Sequence, residues 1–243
     1  MKRTILEIIA SKNRLTAKES EALIREGKVI VNGERILLPS LKFNEDDIEV
    51  IIKNPKKEYV SRGAYKLLGA IEQFSLDITN KVCIDIGSST GGFVEVLLKN
   101  EAKKVYAIDS GTNQLDYSLR INPKVSVHEK TNLKNLKKSM FSDTIDFVTC
   151  DVSFISLKHV FLVCKDILEK DRCIMALIKP QFEASSKYVE SGGLVKEEHH
   201  QYIIDKVTKF AAENNFQLEK IARSPILGEK SKNIEYISLF RKV

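Results

Sequence analysis

Cysteine is scarce in this sequence, and its spacing carries no redox or metal-binding signature. Cys83, Cys150, Cys164 and Cys173 include no C-x-x-C pair. Three of them fall in apolar runs typical of strands, and Cys164 falls in a run typical of a helix. Buried, reduced thiols are the ordinary state of such cysteines, so we expect all four in the core.

Long apolar runs are also absent. No stretch approaches the ~20 apolar residues that a membrane-spanning helix needs. Residues 1–12 show a short helical face instead of the apolar region of a secretory signal. We therefore expect a cytoplasmic protein that spans no membrane. The acid–histidine run at residues 197–200 lacks partners at ligand spacing, so we expect a solvated helix start there and no metal site.

Basic residues outnumber acids, and the excess is uneven along the chain. The formal net charge is +6 and the pI is about 9.0, a balance that permits a nucleic-acid partner without requiring one. Residues 1–44 hold nine Lys or Arg and five Asp or Glu. Much of the positive excess therefore lies in less than a fifth of the chain.

The stretch from Val82 to Phe93 reads as an apolar strand, a glycine-rich turn and the start of an amphipathic helix. A P-loop is excluded because no lysine follows the last glycine of the turn. The dinucleotide pattern Gly-x-Gly-x-x-Gly does not fit either. Residues 85–91 (DIGSSTG) instead resemble the first motif of S-adenosylmethionine-dependent enzymes, with an ordinary βα turn as the alternative.

That resemblance implies S-adenosylmethionine as the cofactor. The glycines leave the backbone of the turn open to a ligand, and the helix N-terminus offers unpaired N–H groups. A second apolar run, residues 105–108, ends in Asp109, where a carboxylate can bind ribose hydroxyls. The residues expected to hold the cofactor are Asp85, Gly87, Ser88, Ser89, Gly91, Gly92, Phe93, Asp109 and Asp151.

Strand-like runs alternate with helical patterns over residues 61–243. The alternation predicts an α/β fold with a Rossmann-like, doubly wound sheet of the S-adenosylmethionine-dependent methyltransferase kind. Ser61 is the expected cap of the first helix, on which Lys66 lies off the apolar stripe. The last two runs have no helix-length segment between them, so we expect a terminal antiparallel hairpin. The predicted strands are residues 81–86, 104–108, 145–150, 172–178, 217–223 and 234–241.

Residues 1–55 predict a separate small α+β domain, followed by a linker at residues 56–60. Thr16 forms a capping box with Glu19, and an Asn-Gly pair separates two strand-like runs as in a hairpin. Residues 22–33 (ALIREGKVIVNG) are similar to the core of the S-four-type RNA-binding domain. The resemblance implies basic side chains that face RNA phosphates. These are Arg14, Lys18, Arg25 and Lys28, with Arg62 in the following domain.

Charged residues directly follow two of the predicted strands. Asp151 follows one buried run, and Lys179 follows another. Because the carboxyl ends of parallel strands meet at one edge of a sheet, we expect the two residues to pair. A lysine at the end of a buried strand is costly unless it is paired or functional. A structural ion pair is therefore one interpretation, and catalysis is the other.

Four residues together favour catalysis. Lys66, Asp151, Lys179 and Glu235 occur in the order of the Lys-Asp-Lys-Glu tetrad of FtsJ-type ribose 2′-O-methyltransferases. The resemblance implies that they form the catalytic site of an enzyme that uses S-adenosylmethionine.

Longer strings extend the resemblance over the whole chain. Four segments are similar to the TlyA family: residues 59–67 (YVSRGAYKL), 151–157 (DVSFISL), 179–183 (KPQFE) and 224–228 (SPILG). The family implies methylation of a cytidine ribose in ribosomal RNA, with ribosomal subunits as partners. The chain departs from the family just before Asn233, where KSK stands in place of the usual glycine.

The chemistry explains why such residues are needed. A ribose hydroxyl is a poor nucleophile, so an enzyme must align its oxygen with the methyl donor and help to remove one proton. Lys179 is the expected base or, as a cation, the stabiliser of the developing alkoxide, and both roles stay open. Asp151 would position Lys179, while Lys66 and Glu235 would orient the ribose. Residues 185–196 predict a mobile loop that closes over RNA.

Two functions of other classes compete with this one. The haemolysin name of the family suggests a pore-forming protein, although no membrane span or long amphipathic helix supports it. A ribosome-assembly factor that binds RNA without catalysis is the second alternative, and the complete tetrad argues against it. Leakage from liposomes would identify the first, and transfer of a labelled methyl group would exclude the second.

Overall fold

The chain forms two compact units in a computed structural model that describes residues 2–13, 15–53, 58–228 and 232–243. The first unit spans Met1–Glu58 and the second spans Tyr59–Val243. No helix within the described ranges is both long enough and apolar enough to cross a bilayer. Arg14 and part of the predicted linker lie outside the described residues.

The first unit combines two helices with two small sheets. Its elements are β1 (Lys2–Thr4), α1 (Ile5–Asn13), α2 (Ala17–Arg25), β2 (Val29–Val31), β3 (Glu34–Ile36), β4 (Lys42–Asn44) and β5 (Val50–Ile52). The capping box before α2 is confirmed, because Thr16 and Glu19 each accept a hydrogen bond from the other's backbone N–H. The hairpin is also confirmed: Asn32 and Gly33 both adopt positive φ between the antiparallel strands β2 and β3.

A seven-stranded sheet forms the centre of the second unit. Its strands are β6 (Val82–Ile86), β7 (Lys104–Ile108), β8 (Val125–His128), β9 (Phe147–Cys150), β10 (Cys173–Ile178), β11 (Phe216–Arg223) and β12 (Tyr236–Lys242). Their spatial order is β11-β12-β10-β9-β6-β7-β8. The strands from β10 to β8 are parallel, whereas β12 runs antiparallel to both β10 and β11. The predicted α/β sheet and its terminal hairpin are confirmed.

Helices cover both faces of this sheet. They are α3 (Ala64–Phe74), α4 (Gly92–Lys99), α5 (Tyr117–Arg120), α6 (Leu157–Ile167), α7 (Pro180–Glu183) and α8 (His200–Ala212). Helices α3 and α4 bury Leu67 and Leu97 in one core cluster, and α6 and α8 bury Phe161 and Val207 in the other. The central strands β6 and β9 are buried along their whole length, which explains their continuous apolar character.

Two features differ from the sequence-based predictions. The pattern does not predict β8, because its residues are only half-buried at the edge of the sheet and polar residues flank them. Ser61 is not the cap of α3, which begins at Ala64 after Gly63 and has no side-chain cap. The Ser61 hydroxyl instead fills the space in which Gly92 would carry a Cβ atom.

Candidate functional site

The register of the sheet brings the predicted residues to one edge. Strands β6, β9 and β10 are hydrogen-bonded neighbours that end side by side. A cavity of about 820 Å³ lies at their carboxyl ends, within the second unit. All four residues of the predicted tetrad line it: Lys66, Asp151, Lys179 and Glu235.

Most of the predicted cofactor residues line the same cavity. Gly87, with φ of +84°, is required by a close backbone approach, since a Cβ atom there would stand 2.7 Å from the carbonyl oxygen of Asp151. The glycine therefore lets the turn after β6 lie directly against the turn after β9. The predicted cofactor residues that line the cavity are Asp85, Gly87, Ser88, Ser89, Gly92, Phe93 and Asp151.

The other two predicted cofactor residues, Gly91 and Asp109, are not among the residues that line the cavity. Gly91 has φ of +97°, and a side chain there would overlap Leu119. The carboxylate of Asp109 accepts the backbone N–H of Ser89 at 2.7 Å and that of Gly111 at 2.7 Å. Asp109 therefore fixes the shape of the turn, and its remaining lone pairs are available to a ribose.

Lys66 is the centre of the tetrad. Its Nζ lies 2.7 Å from Glu235 Oε2 and 3.4 Å from Asp151 Oδ2, and the residue is only 8% exposed. Burial lowers the pKa of Lys66, but the charges of Asp151 and Glu235 outweigh burial and raise that pKa above its ordinary value. Lys66 is therefore a cation at neutral pH. Although Lys66 lies off the apolar stripe of its helix, it is not exposed, because its ammonium group pairs with the carboxylates of Asp151 and Glu235.

Lys179 approaches Asp151 from the other side. Its Nζ lies 2.5 Å from Asp151 Oδ1 and donates a hydrogen bond to Ser153 Oγ at 3.2 Å. The predicted pairing of Lys179 with Asp151 is confirmed. Each lysine contacts a different oxygen of the Asp151 carboxylate, so Asp151 bridges the two cations. Ser153 is a partner that the sequence pattern does not predict.

Glu235 completes the network immediately before β12. It is 3% exposed, and its Oε1 accepts a hydrogen bond from Gln181 Nε2 at 3.4 Å. Gly228 leaves room for it, since a Cβ atom there would stand 3.0 Å from Glu235 Oε1. Two lysines and two carboxylates balance, so the buried network carries no formal net charge, which is the condition that makes such burial tolerable.

Asp85 is buried beneath the glycine-rich turn. It is 1% exposed, and its Oδ1 accepts a hydrogen bond from Thr149 Oγ1 at 2.7 Å. Its Oδ2 has no hydrogen-bond partner among the described residues. Burial raises the pKa of Asp85 to about 7, and the hydrogen bond from Thr149 offsets only part of that effect.

The raised pKa of Asp85 makes stability depend on pH. The unfolded carboxyl ionises near pH 4, but the folded one ionises at about 7, so stability falls as pH rises through this window and stays lowered above it. The difference between the folded and unfolded pKa values corresponds to about 4 kcal/mol of stability that is lost at high pH. An asparagine in place of Asp85 would avoid this loss, but its unpaired amide would itself cost ~1–3 kcal/mol. Asp85→Asn should therefore raise the Tm at pH 8.5 by roughly 4–8 °C. Thermal melts at pH 5 and pH 8.5 check this, and an equal gain at both would contradict it.

Two aromatic residues at the cavity are absent from the sequence-based predictions. Phe154 is 84% exposed and has φ of +62°, a conformation that is rare for a bulky residue and typical of functional sites. Its ring centroid lies 4.8 Å from that of Phe182, which follows Lys179 by three residues. Exposed rings beside a nucleic-acid site can stack on bases. The sequence shows both phenylalanines but gives no sign of the turn that exposes Phe154.

The predicted loop at residues 185–196 borders the cavity. A β-bridge joins Val189 to Val195, and Gly193 lines the cavity. The buried side chain of Asn233 holds this loop, because its Oδ1 accepts the Val195 N–H at 2.9 Å and its Nδ2 donates to the Gly193 carbonyl at 2.8 Å. Asn233 thus ties the loop to the segment that carries the last tetrad residue.

His200 also supports that loop. Its ring lies 3.0 Å from the carbonyl oxygen of Val195 and 2.9 Å from the hydroxyl of Tyr236, and the residue is 3% exposed. The expectation that residues 197–200 are a solvated helix start is therefore wrong for His200. Its partners come from distant segments, and no local pattern reveals them.

The predicted RNA-contact residues of the first unit lie in different surroundings. Lys18 is exposed and has no ion pair within the described part of the chain. Arg25 pairs with Glu21 at 2.7 Å, and Lys28 pairs with Glu26. Exposed pairs of this kind contribute about 0–1 kcal/mol, so phosphates can replace the carboxylates at little cost.

Arg62, the fourth predicted RNA-contact residue that the structure describes, lies in the second unit. It lines the cavity and donates a hydrogen bond from its guanidinium to the carbonyl oxygen of Leu227 at 2.9 Å. The side chain is exposed, so its charge is accessible at the cavity.

Comparison with known proteins identifies this fold. A profile of the family described as FtsJ-like methyltransferase matches residues 59–242, which include the whole seven-stranded sheet and the cavity. The chain belongs to the FtsJ-like methyltransferase family. This FtsJ-like methyltransferase therefore uses S-adenosylmethionine as its methyl donor.

Relatives with known names cover most of the chain. Hemolysin A of Brachyspira hyodysenteriae is 38% identical over 224 residues, which is 91% of this chain and 92% of that protein. The 16S/23S rRNA (cytidine-2′-O)-methyltransferase TlyA of Mycobacterium tuberculosis is 35% identical over 225 residues, or 92% of this chain and 84% of that protein. A protein of solved structure, named hemolysin and from Streptococcus thermophilus, is 36% identical, with a TM-score of 0.76 over 100% of this chain and 89% of its own.

The residues at the cavity fit the cofactor of the family. S-adenosylmethionine carries cationic sulfonium and amino groups, and Asp85 has a buried carboxylate oxygen that no described residue satisfies. The volume of about 820 Å³ lies within the usual range of small-molecule sites. A wall formed by Gly87, Ser88 and Ser89 presents mostly backbone to a ligand.

Proposed function

We propose that this FtsJ-like methyltransferase transfers a methyl group to the ribose 2′-hydroxyl of a cytidine in ribosomal RNA. The observation that carries the proposal is the cavity in which Asp151 bridges Lys66 and Lys179, with Glu235 on the far side of Lys66. The substrate is inferred from relatives whose names state rRNA cytidine-2′-O-methylation.

The roles of the two lysines differ in this proposal. Bound S-adenosylmethionine would supply an electrophilic methyl group, so the protein has to position the hydroxyl and handle one proton. Lys66 is unsuited to be a base, because its raised pKa keeps it protonated. Its contacts with Glu235 and Asp151 suit it to hold those two carboxylates in place.

Lys179 is the lysine proposed to meet the 2′ oxygen. Its Nζ lies 2.5 Å from Asp151 Oδ1 and donates a hydrogen bond to Ser153 Oγ at 3.2 Å. In its cationic form this amine would donate a hydrogen bond to the 2′ oxygen as negative charge develops on that oxygen. Asp151 is the carboxylate that contacts Lys179, so it is placed to accept the proton released from the hydroxyl.

The first unit is proposed to bind the RNA. Its likeness to the S-four-type domain and its exposed cations, Lys18, Arg25 and Lys28, support this role. Binding through phosphates would make affinity fall steeply with salt and would fix the position of the RNA without reading its sequence. The residues that line the cavity would then determine which nucleotide is methylated.

The proposed reaction is tested with each purified ribosomal subunit and S-adenosylmethionine that carries a tritiated methyl group. Digestion of the RNA to nucleosides should place the label in 2′-O-methylcytidine. Label on a base, or on no nucleoside of either subunit, would contradict the proposal. Labelled ribose would also exclude an assembly factor that only binds RNA.

Asp109→Ala should weaken cofactor binding by roughly 10–100-fold and leave RNA affinity nearly unchanged. The carboxylate makes one charge-assisted hydrogen bond to the glycine-rich turn, from the Ser89 N–H, and one to the Gly111 N–H in its own loop, and it is proposed to accept from the cofactor ribose. Losing a charge-assisted bond costs about 1.5–3 kcal/mol. Calorimetry with S-adenosylmethionine and filter binding with RNA provide the two measurements. An unchanged calorimetric Kd would remove Asp109 from the cofactor site.

A further inference from the structure

Glu183 joins the two turns that carry Asp151 and Lys179. It is 3% exposed and ends α7, four residues after Lys179. Its Oε1 accepts the backbone N–H of Leu157 at 2.7 Å, and its Oε2 accepts the hydroxyl of Ser156 at 2.7 Å. Ser156 and Leu157 form the start of α6, at the far end of the turn that begins with Asp151.

The two turns are thereby fixed at both ends. At one end, β9 and β10 are paired strands of the sheet. At the other, the carboxylate of Glu183 spans the gap between them. Between these anchors lie the 2.5 Å ion pair of Lys179 with Asp151 and the ring contact of Phe154 with Phe182. A change at Glu183 would therefore alter the relative position of the reactive groups.

Capping of α6 accounts for only part of this carboxylate's contacts, because Glu183 Oε1 accepts the N–H of Leu157, the first residue of the helix. Ser156 already caps the helix, since its Oγ accepts the Lys158 N–H at 3.2 Å. Glu183 is also expensive to bury, because desolvation opposes its charge. Lys206 compensates in part: its Nζ donates to the backbone carbonyl of Glu183 at 2.7 Å. The Leu157 N–H needs only one acceptor, so the second contact, between Glu183 Oε2 and the Ser156 hydroxyl, points to a further role.

We propose that Glu183 is a positioning residue, which holds the Asp151 turn against the Lys179 turn so that Lys179 meets the 2′ oxygen. The inference rests on the proposed function. Glu183 does not line the cavity, so it acts only through the residues that do. A displacement of about 1 Å between reacting groups can cost on the order of 10²-fold in rate.

Glu183→Ala should lower kcat about 10²-fold while the Kd for S-adenosylmethionine stays within about twofold. Glu183→Gln should restore most of kcat, because its amide oxygen accepts the Leu157 N–H and its amide nitrogen can donate to Ser156 Oγ. A purely structural role predicts a lower Tm for Glu183→Ala with unchanged kcat well below that temperature.

A second readout needs no RNA. The chain contains no tryptophan, so Phe154→Trp places the only tryptophan on the turn, where it can be excited selectively at wavelengths that tyrosine does not absorb. Its fluorescence anisotropy should fall when Glu183→Ala is added and recover with Glu183→Gln. Asp146→Asn is the matched control, because Asp146 accepts the Val82 N–H at 2.9 Å and pairs with Arg172 at 3.1 Å at the opposite edge of the sheet. It should change the Tm alone.

The outcomes separate the two proposals. Wild-type kcat together with unchanged anisotropy in Glu183→Ala would overturn the positioning role and leave the proposed function intact. A wild-type enzyme that labels no ribose would overturn the proposed function, and the anisotropy series would then decide the role of Glu183 by itself.

Discussion

Replacement of Lys179 by alanine is expected to lower kcat for ribose methylation about 10³-fold, with cofactor and RNA still bound. The reason is its place in the proposed mechanism: Lys179 lines the cavity beside Asp151 and Ser153, where it is proposed to donate to the 2′ oxygen. Single-turnover transfer of a tritiated methyl group measures the loss. Calorimetry and filter binding on the same sample show that both ligands still bind.

The stability of the variant separates catalysis from a structural ion pair. A buried carboxylate left without a partner costs ~3–5 kcal/mol. Asp151 keeps Lys66 at 3.4 Å, so the loss for Lys179→Ala should be smaller. Lys104→Ala is a matched control, since Lys104 pairs with Asp143 at 2.8 Å away from the cavity and should keep full turnover. A Lys179→Ala enzyme with a substantial fraction of wild-type turnover would disprove the catalytic role.

Removal of the first unit should lower methylation of intact subunits about 10²-fold at physiological salt, because the phosphate contacts of several cations are lost. The shortened chain should begin at Tyr59. The Val60 N–H donates to Glu95 Oε2 at 2.7 Å, and Lys99 Nζ lies 4.0 Å from the Tyr59 ring centroid. Both contacts hold the start of the second unit on α4 and belong to its fold.

Cofactor affinity provides the control for this truncation. The cavity lies entirely in the second unit, so the Kd for S-adenosylmethionine should not change. Activity of the full chain should fall with increasing salt, and activity of the shortened chain should depend on salt less strongly. Equal activity of the two chains on intact subunits would show that the first unit is not the RNA anchor.

Much of the sheet could be predicted from sequence for a simple physical reason. Strands buried on both faces are apolar at most positions, and β6, β9 and β10 are strands of this kind, with Asp85 and Thr149 as polar exceptions. Strand β8 is half-buried, so its pattern resembles that of a polar loop. A charged residue is conspicuous directly after such an apolar run, which is why Asp151 after β9 and Lys179 after β10 could be identified from the sequence.

The rest of the site depends on contacts between distant residues. Lys66 and Glu235 are 169 residues apart, and the helical pattern around Lys66 predicts an exposed side chain. Glu183 contacts a segment 26 residues earlier, and its motif gives no hint of that contact. Phe154 is exposed by a positive φ, a conformation that its residue type does not favour. Tertiary packing decides all three.

The order of strands in the sheet has a consequence for biosynthesis. Strand β12 comes after every other strand in the chain, yet it lies between β10 and β11. A ribosome adds residues one at a time from the N-terminus, so β10 has no neighbour on that side until β12 has been made. Such non-local pairing is slow to form. Glu235 directly precedes β12, so the tetrad is completed only when this last insertion occurs, and a nascent chain arrested before it would have an unfinished sheet and no complete tetrad.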